Sequence, residues 1–296
     1  MRRLIAPLTA LLLLTAGCAP AHTGTLGPAP AGASRTAGTT PTGAGRTPAT
    51  VSPTTRPSTP AAPTGVEEPS PDGTVTLQLW FTRGGKLVPT RRTLPATPAT
   101  SRLALTELAA GPSLAETATG MTTLVPAGTQ VSRIAGGVAT LVPSAGFDGD
   151  DAASVRLRRA QVVWTLTQFP TVRRVAFAPN DTAPGARGDF ADLLPPIVVT
   201  GPAIGDRITS PVTVTGTADV FEATVSARVL DATGREVGTA FTTATCGSGC
   251  RGDYRVRVGY RLDRTGPGTI EVYEVSARDG SRINVVTVPV VLTAGG

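Results

Sequence analysis

Apolar and polar positions alternate in two ways along this chain, and the change between them predicts two folded units. In residues 74–180, runs with the period-two alternation of strands interleave with two runs whose apolar residues recur every three to four positions, as in helices. The helical runs cover residues 101–110, which a Gly-Pro pair ends, and about 152–169, which Pro170 ends. Strands that alternate with helices in one unit predict an α+β domain with two helices on one face of a small sheet. The predicted strands are 75–81, 87–94, 129–134, 138–142 and 172–178.

A second unit, residues 195–292, consists only of strand-like runs and turns, and a hydrophilic joint at 181–194 separates it from the first. Short strands divided by turn signals such as an Asp-Gly pair predict an all-β immunoglobulin-like sandwich. The alternation slips between Val272 and Tyr273, which predicts a β-bulge there. The predicted strands are 197–200, 212–216, 224–230, 254–261, 269–277 and 283–292.

The first 17 residues have the pattern of a secretory signal. Arg2 and Arg3 precede an apolar run at 4–14, which is too short to span a membrane, and small residues lead to Cys18. The Ala-Gly-Cys ending resembles a lipobox, which implies that Cys18 is lipidated on its sulfur and becomes the mature N-terminus. Ordinary secretion with cleavage nearby is the alternative. We therefore expect a lipid-anchored protein on the extracytoplasmic face of the cell membrane.

Residues 18–71 consist mainly of Pro, Thr, Ala, Gly and Ser. Such a segment cannot bury enough apolar surface to offset the entropy of ordering it, so we predict a disordered tether. About 50 residues of this kind have a root-mean-square reach of about 40 Å, which would carry the folded units away from the membrane.

The charge of the chain is a weak indicator of its partners. The formal net charge is +6, from 27 basic and 21 acidic residues, and loss of Arg2 and Arg3 with the signal lowers it to +4. A surplus this small does not indicate nucleic-acid binding.

Two cysteines remain besides Cys18, and they are close together at Cys246 and Cys250. A disulfide is the prediction for an exported protein. A metal site is the alternative, but further ligands are missing because the one histidine of the sequence, His22, lies in the tether. We therefore expect no metal and no cofactor.

Catalytic motifs are not evident in the sequence. Triads of the Ser-His-Asp or Cys-His type need an imidazole in a folded pocket, and neither a phosphate-binding loop nor a dinucleotide fingerprint occurs. We predict that the chain is not an enzyme. The acidic cluster Asp148, Asp150 and Asp151 precedes the long helix, where Asp150 or Asp151 can cap it; Ca²⁺ binding is the alternative.

The long helix carries a second apolar stripe formed by Val155, Val162, Leu166 and Phe169, roughly opposite the first. One stripe can pack on the sheet, and the other needs a cover. Either a neighbouring helix or the second domain covers it, or it binds a partner protein.

In the strand predicted at 254–261, alternation places Arg255, Arg257 and Arg261 on one face. These side chains either form a solvated outer face or bind an anionic ligand such as a wall polymer or a lipid headgroup, because guanidinium groups suit phosphates.

Several motifs of the first unit resemble the GerMN domain of sporulation and spore germination proteins. They are LVP at 87–89, ELAAGP at 107–112, VPAGT at 125–129 and AQVVWTLTQFP at 160–170. The second unit resembles the immunoglobulin-like domain that accompanies it in such proteins, through GP at 201–202, PVTVTGTA at 211–218 and DGS at 279–281. The resemblance implies an exported assembly or binding role and a GerMN fold similar to ring-building motifs.

These patterns together predict a non-enzymatic, membrane-anchored lipoprotein that binds or scaffolds another envelope protein. The link to sporulation or germination comes from the resemblance alone. The alternative function is a module that binds a cell-wall polymer or another anionic ligand.

Overall fold

The computed structural model describes residues 73–177 and 183–295. The predicted signal at 1–17, the tether at 18–71 and Cys18 lie outside these residues. None of the helices described is long and apolar enough to cross a membrane.

The first domain is α+β, as the sequence predicts, but its strands form two sheets rather than one. Strands β1 and β2 form an antiparallel hairpin, whose two-residue turn Gly84-Gly85 has the positive φ angles that a tight hairpin requires. Strand β4 pairs antiparallel with β3 and parallel with β5 in the second sheet. The short helix α2 was not predicted. The elements are β1 (Thr74–Arg83), β2 (Lys86–Pro95), α1 (Thr100–Ala110), α2 (Leu114–Thr117), β3 (Gln130–Ala135), β4 (Val138–Val142), α3 (Ala152–Leu166) and β5 (Arg174–Phe177).

Polar side chains of the α3 region attach it to the edge of β1 that β2 leaves unpaired. The Gln168 amide accepts from the Gln78 backbone N–H at 2.8 Å and donates to its carbonyl oxygen at 2.8 Å. One turn earlier, Thr165 accepts from the Trp80 N–H at 3.1 Å, and Gln161 donates to the Trp80 carbonyl at 3.0 Å. These side chains satisfy the backbone of β1 as a third strand would, and they lie in the 160–170 motif.

The second domain is the predicted immunoglobulin-like sandwich. One sheet has the order β11-β8-β6 and the other β10-β9-β12-β13-β7. The register shifts between Val272 and Glu274, which confirms the predicted bulge. Strands β7 and β10 were not predicted. The strands are β6 (Ile197–Gly201), β7 (Arg207–Ile208), β8 (Val212–Ala218), β9 (Thr224–Asp231), β10 (Glu236–Thr243), β11 (Gly252–Val258), β12 (Gly266–Val275) and β13 (Arg282–Leu292).

The two domains share an apolar contact. Leu194, the last residue of the joint, and Val198, in β6 of the second domain, belong to the same cluster of buried residues as the first domain's core. The domains therefore meet along β2 and β6.

Candidate functional site

The long helix does not present the apolar stripe that the sequence predicts for a partner. Val162 and Leu166 are completely buried, Phe169 packs against the same core, and Val155 is half-buried. The interpretation of this stripe as an exposed binding surface is therefore wrong. The reason is that α1, β1 and β5 all pack against α3, so the domain itself provides the cover.

The described part of the joint, residues 183–194, also packs against the α3 region. Arg156 forms a two-pronged ion pair with Asp192, with N···O distances of 2.8 and 2.7 Å. Arg187 donates to the Thr167 hydroxyl at 2.7 Å, and Phe190 is buried. The joint therefore covers a further face of the helix.

A groove lies where the two domains meet, and we call it the interdomain groove. It has a volume of about 240 Å³ and an apolar lining that both domains provide. The hairpin contributes Arg83 and 86–89. The second domain contributes 195–199, 202–204 and part of β13, 284–288.

Arg83, the last residue of β1, contributes its positively charged guanidinium to the lining of this groove. Its aliphatic stem lies beside Gly120, and its guanidinium forms no hydrogen bond or ion pair with any residue that the structure describes. Burial lowers the pKa of Arg83, although the group stays protonated. Nearby, the Lys86 ammonium donates to the Asp192 carbonyl oxygen at 2.8 Å. A half-buried, unpaired guanidinium is costly unless an anion approaches it.

The arginines of β11 are only partly together. Arg255 and Arg257 are exposed on the outer face of the sheet, opposite Thr215 and Thr213 of β8. Arg261 is also exposed, but it lies beyond the end of the strand. Strand β11 ends at Val258, where its pairing with β8 ends, and Arg261 lines another groove near the turn that follows β9.

Arg255 instead shares a cleft of about 460 Å³ with Arg91 and Arg207. Arg91, from β2 of the first domain, forms an ion pair of 3.4 Å with Asp206 of the second. The hydroxyl-bearing side chains of Thr213 and Thr215 also line the cleft. Sequence reasoning missed Arg91 and Arg207 because the residues are far apart along the chain and follow no shared pattern.

Cys246 and Cys250 have their sulfur atoms at disulfide distance, with Cα atoms 5.7 Å apart, in the loop between β10 and β11. Within residues 73–177 and 183–295, no group of three His, Cys, Asp or Glu side chains could hold a metal ion.

The acidic side chains before α3 form hydrogen bonds and ion pairs within the first domain. Asp151 is the N-cap and accepts from the backbone N–H groups of Ala153 at 3.0 Å and Ser154 at 3.1 Å. The hydrogen bond from the Ser154 hydroxyl, together with these N–H groups, lowers the pKa of Asp151. Asp150 pairs with Arg158. The capping prediction is confirmed.

Comparison with known proteins identifies both domains. Residues 56–182 match the family model described as sporulation and spore germination, and residues 196–281 match the immunoglobulin-like domain of bacterial spore germination. A comparison with curated protein sequences gives no match.

Solved structures give more distant similarities. The tandem GerMN domains of the sporulation protein GerM from Bacillus subtilis are 17% identical with a TM-score of 0.34, over 76% of this chain. The chain spans 62% of the length of that structure. The first GerMN domain of the same protein is 26% identical with a TM-score of 0.30, covering 34% of this chain and 79% of that one.

Proposed function

Because the chain combines a GerMN domain with the immunoglobulin-like domain of spore germination proteins, we propose that it is a lipoprotein that binds or scaffolds another envelope protein without catalysing a reaction. It would be anchored through Cys18 on the extracytoplasmic face of the cell membrane. The observation that supports binding most directly is the interdomain groove, an apolar surface with a cation at its wall, Arg83, that has no hydrogen-bond or ion-pair partner among the described residues.

The chemistry of the groove favours binding over catalysis. Its charged lining groups are the side chains of Arg83 and Lys86, and within the described residues neither a carboxylate nor an imidazole lines it. General acid–base catalysis uses carboxylates and imidazoles to move protons near neutral pH, whereas apolar surface flanked by cationic side chains suits recognition of a protein segment.

Site-specific photocrosslinking in intact cells tests this proposal. A photoreactive residue at Val285, in the groove, should capture one envelope protein, and Arg83→Glu should abolish the capture. The matched control is Phe241, which is 76% exposed on β10 and does not line the groove. Equal capture from both positions, or none from Val285, would contradict binding at the groove.

The lipid anchor has a separate test. Cys18→Ser should move the protein from the membrane fraction to the soluble extracytoplasmic fraction, because acyl chains supply the proposed membrane affinity. Retention of the variant in washed membranes would show that the anchor assignment is wrong, without affecting the groove.

The cleft formed by Arg91, Arg207 and Arg255 favours a second candidate function, binding of an anionic wall polymer. Teichoic-acid-like poly(glycerol phosphate) is the probe, and its binding should weaken as salt increases because exposed charges are screened. The double substitution Arg255→Glu and Arg257→Glu should abolish binding, whereas Arg278→Glu, at an exposed arginine outside the cleft, should preserve it. Equal binding by both variants would refute this function.

A further inference from the structure

We infer that the interdomain groove takes an extended segment of the partner protein as an additional strand along β13, with an acidic side chain of that segment paired to Arg83. This inference rests on the proposed function, since it names how the groove would recognise its partner. It depends on three features: the backbone direction of β13, its exposed side chains and the unpaired guanidinium.

The backbone of β13 has a free edge at the groove. Strand β7 covers only the end of β13, where the Val291 N–H donates to the Asp206 carbonyl and the Pro289 carbonyl accepts from the Gly205 N–H, both at 2.9 Å. Backbone groups of a strand point to alternate sides, so Val285 and Thr287 direct theirs the same way, away from β12. No residue that the structure describes bonds to these outward groups.

The side chains near this edge are apolar and exposed, beside the bulge of the β12–β13 pairing, where Asn284 has a positive φ angle. Ile283 and Val285 are 39% and 44% exposed. Natural edge strands are normally protected by charges, prolines or covering loops, because an apolar edge pairs with other chains. Across the groove, accessible apolar surface that would cover the side chains of an added strand comes from Val88, Pro195, Pro196 and Ile204.

Arg83 adds charge complementarity. A carboxylate on the incoming segment would form charge-assisted hydrogen bonds with a guanidinium that has no other partner among the described residues. An apolar segment without an acid would leave this cation unpaired in a drier environment than before. The groove therefore favours β-branched residues accompanied by one Asp or Glu.

We assign the acidic segment to the partner protein, because the proposed function brings a partner to this groove and Arg83 is a cation of its lining that an acid of the partner would complement.

The test uses a soluble form of the mature chain that begins at residue 19, after the lipidated Cys18, and a random twelve-residue peptide library. Selected peptides should combine β-branched residues with an acid, and Arg83→Gln should weaken their binding at least tenfold. Arg278→Gln is the matched control and should leave the affinity unchanged. On binding, hydrogen exchange measured by NMR should slow at the Val285 and Thr287 amides, but not at Val286, which faces β12.

Each contrary outcome overturns a defined part of the inference, either the added strand or the acidic contact with Arg83. If peptides bind without slowing hydrogen exchange at Val285 and Thr287, strand addition is refuted. If Arg83→Gln leaves the affinity of the peptides unchanged, the acidic contact is refuted. If no peptide is selected while crosslinking from Val285 still captures a protein, the groove remains a docking site and the added strand is wrong. Protection of the same amides on concentration-dependent dimerisation, with no peptide selected, would assign the edge to a second copy.

Discussion

The carboxylate of Glu116 offers the sharpest test of how the first domain is held together. It accepts hydrogen bonds from the Thr90 hydroxyl at 2.6 Å, the Ser113 backbone N–H at 2.7 Å and the Arg92 guanidinium at 2.9 Å. Arg92 also pairs with Glu107 at 3.0 Å. The side chain of Glu116 is 6% exposed and that of Glu107 is 24% exposed, so the Arg92 guanidinium forms one ion pair with a buried carboxylate and one with a more accessible carboxylate.

Glu116→Ala should destabilise the domain by about 3 kcal/mol, because it removes one partner of a buried ion pair and leaves polar groups unsatisfied. A loss of this size lowers the midpoint of thermal unfolding of a domain of this length by about 14 °C. Glu107→Ala removes the same functional group from the same arginine at a more exposed position. It should cost about 1 kcal/mol or less.

Urea unfolding followed by tryptophan fluorescence measures these changes in the free energy of unfolding specifically in the first domain. Both tryptophans of the chain, Trp80 and Trp164, lie in the first domain, whereas all three tyrosines of the chain lie in the second domain. The tryptophan transition should therefore shift while the tyrosine signal stays in place. If Glu107→Ala costs as much as Glu116→Ala, burial of the ion pair does not determine its contribution and the reasoning is refuted.

Three further predictions concern pH, the core and the disulfide. Burial raises the pKa of Glu116, but the hydrogen bonds, that from the Thr90 hydroxyl first, outweigh it and the net shift is downward. The carboxylate therefore stabilises the fold above its unfolded pKa of about 4.3 and loses this effect as the pH falls through the lower folded value. Urea midpoints of wild type and Glu116→Gln should thus converge on acidification, and a constant gap would contradict the shift. Leu166→Glu should abolish the native tryptophan signal by burying a charge in the core, whereas Leu114→Glu, at a side chain 92% exposed, should leave it intact; a folded Leu166→Glu variant would refute this burial. Reduction of the Cys246–Cys250 pair should destabilise the second domain by about 2 kcal/mol in tyrosine-detected unfolding, and no shift would show that the short ring contributes nothing.

The sequence by itself determined the features that depend on neighbouring residues. Helical and strand periodicity predicted an α+β domain followed by a sandwich. The acids before α3 predicted a cap at Asp150 or Asp151, of which Asp151 is the cap, and the slip in alternation predicted the bulge beside Val272. The separation of Cys246 and Cys250 by only four positions predicted their proximity. In each case the residues that interact are within one turn, one strand or one loop, so their pattern is visible along the chain.

Only the tertiary structure decided which surfaces are free. Periodicity showed two apolar stripes on α3, but it could not show that α1, β1, β5 and the joint would cover the helix and bury Leu166. It also could not bring Arg91 to Arg255, or place Arg83 opposite the free edge of β13. Contacts between residues distant in the chain depend on how whole elements pack, because burial is shared among all of them and no local pattern records the outcome.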